Sequence, residues 1–194
     1  MQKLARQDLM SLEQYAIERP RVRAEIMAHK QHRTVQVGPH TTWCFEDRAT
    51  IRYQVLEMLR AERIFESEGI QDELDAYNPL IPGGSDWRVT LLIEFPDPEV
   101  RRAALPELIG IEDRCWVRVG EMERVYAIAD EDMPRENAEK TSAVHFLRFE
   151  LTPSMVAAMK SGAPLGLGVD HDNYRHTLAR VSVEVRDALS HDLD

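Results

Sequence analysis

Near residue 85 the dominant spacing of apolar positions along this chain changes from helical intervals to alternation. Upstream, Ser11-Leu12-Glu13-Gln14 has the form of a capping box and predicts a helix start. Pro20 suits the first turn of a second helix better than the middle of a first. A break is therefore expected near Arg19, with the second helix running over 20–32. Residues 33–37 and 41–45 are β-prone runs on either side of Gly38-Pro39-His40, which predicts a hairpin. Asp47 then reads as the N-cap of the longest helix, over 48–68, with Gly69 as its stop. Ile51, Val55, Met58 and Phe65 share one face of it, widened by Leu59. A short acidic helix is expected over 71–77. The stretch 78–85, with its Pro and Gly residues, reads as a loop and as the internal boundary. It separates a helical region with a hairpin, 1–78, from a sheet region, 79–194, the two forming one compact unit.

Beyond the boundary, Trp87, Val89, Leu91, Ile93 and Phe95 alternate with polar neighbours and predict a half-buried strand. Residues 114–119 and 123–129 form a second hairpin around Gly120-Glu121-Met122. An exposed loop is expected over 131–140, and strands over 143–151 and 165–169. Three strand-like runs lead into helix starts at Asp97-Pro98, Thr152-Pro153 and Ser182, where each first residue is a good N-cap. Their irregular spacing fits convergent turn chemistry rather than a repeat array. Antiparallel hairpins with helices at the edges give an α+β class: a helical N-terminal third with a small hairpin, then a mostly antiparallel sheet flanked by short helices.

Composition narrows the function classes. At 194 residues and a net charge of −10, the chain would repel a phosphate backbone, which disfavours nucleic acid. No run approaches the length of a membrane span, and the first residues lack the apolar core of a signal peptide, so a cytoplasmic protein is expected. Cys44 and Cys115 each lie beside a Trp in a strand pattern and read as buried, inert thiols. No GxGxxG, Walker A, HExxH, GxSxG or EF-hand pattern occurs, so no nucleotide cofactor is indicated. Charge is unevenly spread. Residues 1–33 carry seven Lys/Arg against four acids, and 57–75 carry seven acids against Arg60 and Arg63. The two segments are complementary surfaces that either pair with each other or face a partner.

One residue stands out chemically. Helical spacing places Glu62 inside the apolar stripe of the long helix, where a carboxylate must be paired, protonated or bound to a cation. Gln54 and Glu57 lie at the rim of that face. On the preceding helix His29 continues the line of Val22 and Ile26, with Arg33 next. The arrangement is either a satisfied core ion pair or a site at which His29, Glu57 and Glu62 hold a metal or move a proton. His145 shares a strand face with Leu147 and Phe149, and His171 sits in Asp170-His171-Asp172-Asn173-Tyr174 after a glycine-rich strand. A composite site would draw on His29, Arg33, Glu46, Gln54, Glu57, Glu62, His145 and His171. Iron or another divalent metal is the cofactor such ligands would take, with His29, Glu62 and His171 as the candidates.

The order Asp8-Leu9, Ser11 to Tyr15, Arg19-Pro20, His29-Lys30, Arg33, Gly38-Pro39, Phe45-Glu46-Asp47, Gln54, Glu57 to Arg60 and Glu62 resembles the bacterial domain-of-unknown-function family numbered 3501. The later Asp170 to Tyr174 run resembles that family's C-terminal motif, with Asp172 in place of its Pro. The resemblance implies the company of rubrerythrin-like diiron proteins and iron–sulfur reductase-like proteins. It therefore implies a non-catalytic accessory or partner protein of a redox system, docking through its helical N-terminal region. The alternative is a metal-binding protein or metal-dependent enzyme with a His/Glu site. Oligomeric state is not legible, since the helix starting at Ser11 would serve a dimer as well as a core.

Overall fold

The computed structural model describes residues 2–129, 131 and 140–194. Among these, helices α1 (Leu12–Lys30), α2 (Arg48–Glu62) and α3 (Ser67–Tyr77) are interrupted by strands β1 (Thr34–Gln36) and β2 (Thr41–Glu46). Next come β3 (Asp86–Ile93), α4 (Pro98–Glu107), β4 (Cys115–Val119), β5 (Val125–Tyr126), β6 (Ile128–Ala129) and β7 (Val144–Glu150). The chain closes with α5 (Pro153–Lys160), β8 (Leu165–His171), β9 (Tyr174–Leu178) and α6 (Val183–Ser190). The strands form two antiparallel sheets, ordered β1-β2-β3-β7-β6 and β5-β4-β8-β9. The class is α+β, with helices interspersed along the chain rather than confined to its first third.

The alternation read from the sequence builds the core. Trp43, Phe45, Trp87, Val89, Leu91, Leu147 and Phe149 of the first sheet join Cys115, Val117, Val119, Leu165, Leu167 and Val169 of the second in one buried cluster. Met155, Met159, Val185 and Leu189 of α5 and α6 add to it. On the opposite face of the first sheet, positions such as Cys44, Arg88, Phe146 and Arg148 are only half-buried. In the second sheet the indole of Trp116 lies across its cross-strand partner Gly168, where a Cβ would stand 2.2 Å from the ring. Gly168 is therefore a requirement of close approach.

The predicted hairpin over 33–45 is present, with Thr34 paired to Cys44 and Gln36 to Thr42. It does not stand apart from the sheet region: β2 pairs with β3 from Thr41↔Ile93 to Glu46↔Arg88. Thr152, Ser182 and Asp97 are the N-caps of α5, α6 and α4, as their spacing indicates.

Five expectations are corrected. The break near Arg19 is absent, and Pro20 lies inside a continuous α1. Tyr15 on one side of it and Val22 and Ile26 on the other pack against Tyr53 and Leu56 of α2, and this tertiary contact overrides the lost hydrogen bond. The long helix ends at Glu62, not at 68, because Arg63 adopts a left-handed conformation (φ 57°). That turn lets Ile64 N donate to Leu59 O at 2.9 Å and brings Ile64 against the buried cluster that includes Leu59 and Leu74. Gly69 accordingly lies within α3. The run 123–129 is divided, its first part pairing with β4 and its last with β7 in the other sheet. The segment 170–176 is a strand–turn–strand, with His171 paired to Tyr174. Cys44 is half-buried, and only Cys115 is fully enclosed. The expected loop over 131–140 lies largely outside the described residues.

Candidate functional site

The buried polar centre of the molecule forms where α1, the β2–α2 junction and the C-terminal segment meet. Asp47 caps α2, its Oδ1 accepting from Ala49 N and Thr50 N at 2.9 Å each. Its other oxygen meets His29 Nε2 at 2.6 Å and Arg33 Nη1 at 3.4 Å. Arg33, 2% exposed, donates to Phe45 O at 3.1 Å and Glu46 O at 3.3 Å and forms an ion pair with Asp192, itself 3% exposed. One guanidinium thus serves two buried carboxylates. Burial pushes the Asp192 carboxyl up to about 6, with the neighbouring Asp47 charge acting the same way and Arg33 opposing. Burial would raise Asp47 as well, but Arg33, the Thr50 N–H and His29 together hold it below the ordinary carboxylate value. The centre takes up a proton at Asp192 as pH falls through about 6, and mechanically it clasps elements 159 positions apart in sequence.

Beside it, Glu46 is buried and bonded to Thr50 Oγ1 (2.6 Å) and Thr90 Oγ1 (2.7 Å), joining α2 to the sheet. Farther along α2, Glu57 accepts from Arg19 Nε and Nη2 at 2.7 and 2.8 Å and from Tyr15 OH at 2.6 Å. The forked Arg19 contact, with Tyr15, holds the Glu57 carboxyl down at about 2. This is direct pairing between the basic first segment and the acidic second one. Gln54 is half-buried on the same helix.

Glu62 departs from its expected place. It is exposed, as is Phe65, 65% of whose surface is open. The buried positions of α2 run Ile51, Val55, Leu59 with Leu56, and the helix ends before that stripe reaches the next turn. A carboxylate at the last helical residue is hydrated, so the premise of a buried Glu62 fails. His145 is fully buried in the inter-sheet core, with Thr141 Oγ1 at 2.8 Å, Ser142 O at 3.1 Å and Glu112 Oε2 at 3.7 Å. His171 donates from Nε2 to Ile109 O (3.0 Å) and accepts at Nδ1 from Asn173 N (3.2 Å), which engages both ring nitrogens in the β8–β9 turn. The structure brings His29, Arg33 and Glu46 together around Asp47; Glu57, Glu62, His145 and His171 lie elsewhere. Among the described residues, no group of three or more His, Cys, Asp or Glu side chains is arranged to hold a metal ion.

The profile of a family described as "Protein of unknown function (DUF3501)" matches residues 3–193. The chain belongs to that family. A crystal structure of a protein of unknown function from Burkholderia pseudomallei is similar to it at 52% identity, covering 100% of both chains with a TM-score of 0.95. No curated protein matches the chain. Family membership thus extends over the polar centre, from His29 to Asp192, and attaches no activity to it.

Asp192 is absent from the sequence-predicted set, although a signal for it exists. Val185, Leu189 and Asp192 follow helical spacing beyond the Ser182 cap, which puts an acid in an apolar stripe. Helical spacing misplaces Glu62 at the end of one helix and correctly buries Asp192 at the end of another.

Proposed function

We propose that this DUF3501-family chain is a non-catalytic accessory protein of the cytoplasm that works by docking onto a partner protein through the outward face of α1. One observation carries this reading: α1 has two apolar stripes. Tyr15, Val22 and Ile26 pack on α2, whereas Ala16, Ile17, Pro20, Ala24, Met27 and Ala28 share the opposite side at 3.6 residues per turn, and all are exposed. Ile17 is 75% open and Met27 39%. Small residues alternating with two larger apolar ones suit the close approach of another helix. Charged side chains that already satisfy one another, Arg21 with Glu18 and Glu25, flank the stripe. The partner class implied by the family resemblance, a rubrerythrin-like diiron protein or an iron–sulfur reductase-like protein, supports the same reading, since diiron carboxylate proteins of that kind are helical bundles.

The test is an affinity pull-down from the native host with the full chain and with an Ile17→Asp, Met27→Asp variant, read by mass spectrometry. The expected result is stoichiometric recovery of a diiron or iron–sulfur protein with the first and its loss with the second, at unchanged circular dichroism. Recovery of the partner by both proteins would refute the reading. So would a chain that pairs only with itself through this face.

A further inference from the structure

A cavity of about 340 Å³ lies between the outer face of the five-stranded sheet and the α2–α3 layer. No residue of α1 lines it, so a ligand held there would be independent of the docking face. Its walls are apolar, with Met58 from α2, Tyr77 and Leu80 at and beyond the end of α3, and Phe146 from β7. Its polar end is formed by two arginines, Arg88 on β3 and Arg148 on β7, which are direct cross-strand partners. Like charges placed opposite each other on neighbouring strands are unfavourable unless an anion stands by them.

That anion position is already filled from within the chain. Glu131 accepts from Arg148 Nε and Nη2 at 2.7 Å each, a two-toothed fork, and lies 3.6 Å from Arg88 Nη1. Asp86 holds Arg88 Nε at 2.7 Å, and Glu150 holds the remaining side of Arg148, so both guanidinium groups are fixed in orientation. The two halves of this contact differ in exposure. The arginine side chains are 23% and 17% exposed, whereas that of Glu131 is 46% exposed. The receptor is therefore anchored in the sheet, and the carboxylate on it is in contact with water and open to exchange. Among the described residues, the other acid lining the cavity is Glu73, whose carboxyl is pushed upward by partial burial and by Glu62 and Asp72 nearby.

We propose that this cavity binds a small monocarboxylate with an apolar body. The ligand's carboxylate takes the place of Glu131 on Arg148 and Arg88, and its aliphatic or aromatic part fills the space between Met58, Tyr77, Leu80 and Phe146. The volume suits a compact organic acid, and the fork geometry selects a planar carboxylate over a neutral head group.

Isothermal titration of the full chain with octanoate tests this, with octan-1-ol and octylamine as length-matched controls. The expected result is 1:1 binding of octanoate and at least about 10-fold weaker binding of both controls. Glu131→Ala removes the internal competitor and tightens octanoate by about 3-fold or more, whereas Arg148→Met weakens it by about 10-fold or more. Glu131 is half-exposed, so its variant reads out binding even where Arg148→Met fails to fold. The proposal is overturned by absence of octanoate binding in both the wild type and Glu131→Ala at about 5 mM ligand. Octanol binding as tight as octanoate overturns it too, as does a folded Arg148→Met with unchanged affinity.

Discussion

Arg33 carries one positive charge into a space that two carboxylates share, and the proton balance of that space is set by burial. With Asp47 held low and Asp192 raised to about 6, the Arg33 guanidinium faces two carboxylates once the pH is above that value. A group whose carboxyl lies higher in the fold than in the unfolded chain stabilises the protein fully only below its unfolded value, and that stabilisation is lost as pH rises through about 6. Asp192→Asn cannot titrate. The melting temperature of Asp192→Asn minus that of the wild type is therefore expected to be most positive at pH 8 and to shrink toward pH 5. The change corresponds to about 1–2 kcal/mol, or several degrees in a domain of this size. Thermal melts across that range check it, and a difference that stays flat would remove Asp192 from the titrating set. Glu57 shows the opposite sign: its carboxyl sits near 2, so the Arg19 fork survives until strongly acid conditions. At this scale the types of the important residues were legible, but their partners were not. Capping chemistry identified Asp47, whereas Asp192 reaches Arg33 only because the chain returns there.

Helix α1 shows how an element can defy its own sequence. An interior proline removes a hydrogen bond and crowds the preceding turn, yet α1 runs through Pro20 because apolar contacts on both sides pin it to α2. Pro20→Ala is expected to stabilise the protein by about 1–2 kcal/mol, the restored helix geometry outweighing the more flexible unfolded chain. Chemical denaturation would measure this, and a destabilised variant would mean that the proline ring makes a contact the helix needs. The end of α2 carries the converse lesson. A left-handed Arg63 stops the helix where no glycine marks the stop, because Ile64 gains a place against the buried cluster that includes Leu59 and Leu74. The caps at Asp97, Thr152 and Ser182 were readable since capping is local, satisfied by hydrogen bonds within the first turn.

For the molecule as a whole, the five-stranded sheet joins the two regions that the loop over 78–85 separates in sequence. β2 supplies Trp43 and Phe45 to the same core as Trp87 and Phe149, and Trp87 Nε1 in turn donates to Leu189 O at 3.0 Å near the C-terminus. A fragment spanning 79–194 would lose the strand that pairs with β3, two large core aromatics and the partner of Asp192. It is expected not to fold alone, giving a collapsed amide spectrum in two-dimensional NMR. A dispersed, cooperative fragment would show instead that the sheet region is self-sufficient. No described helix is long and apolar enough to cross a membrane, in keeping with the composition.

The order of residues was enough to give the α+β class, the alternating strands of the core, the helix caps and membership of the family. Each rests on short-range spacing or on a pattern carried along the chain, and neither needs knowledge of distant partners. Packing in three dimensions was required to show that Pro20 is spanned, that Glu62 is in water, that residues 125–129 divide between two sheets and that Arg88 stands opposite Arg148. Those outcomes depend on which surface meets each residue. Helical periodicity gives the direction of a side chain from its axis, but only the packing of another element determines whether oil, water or an opposite charge lies there.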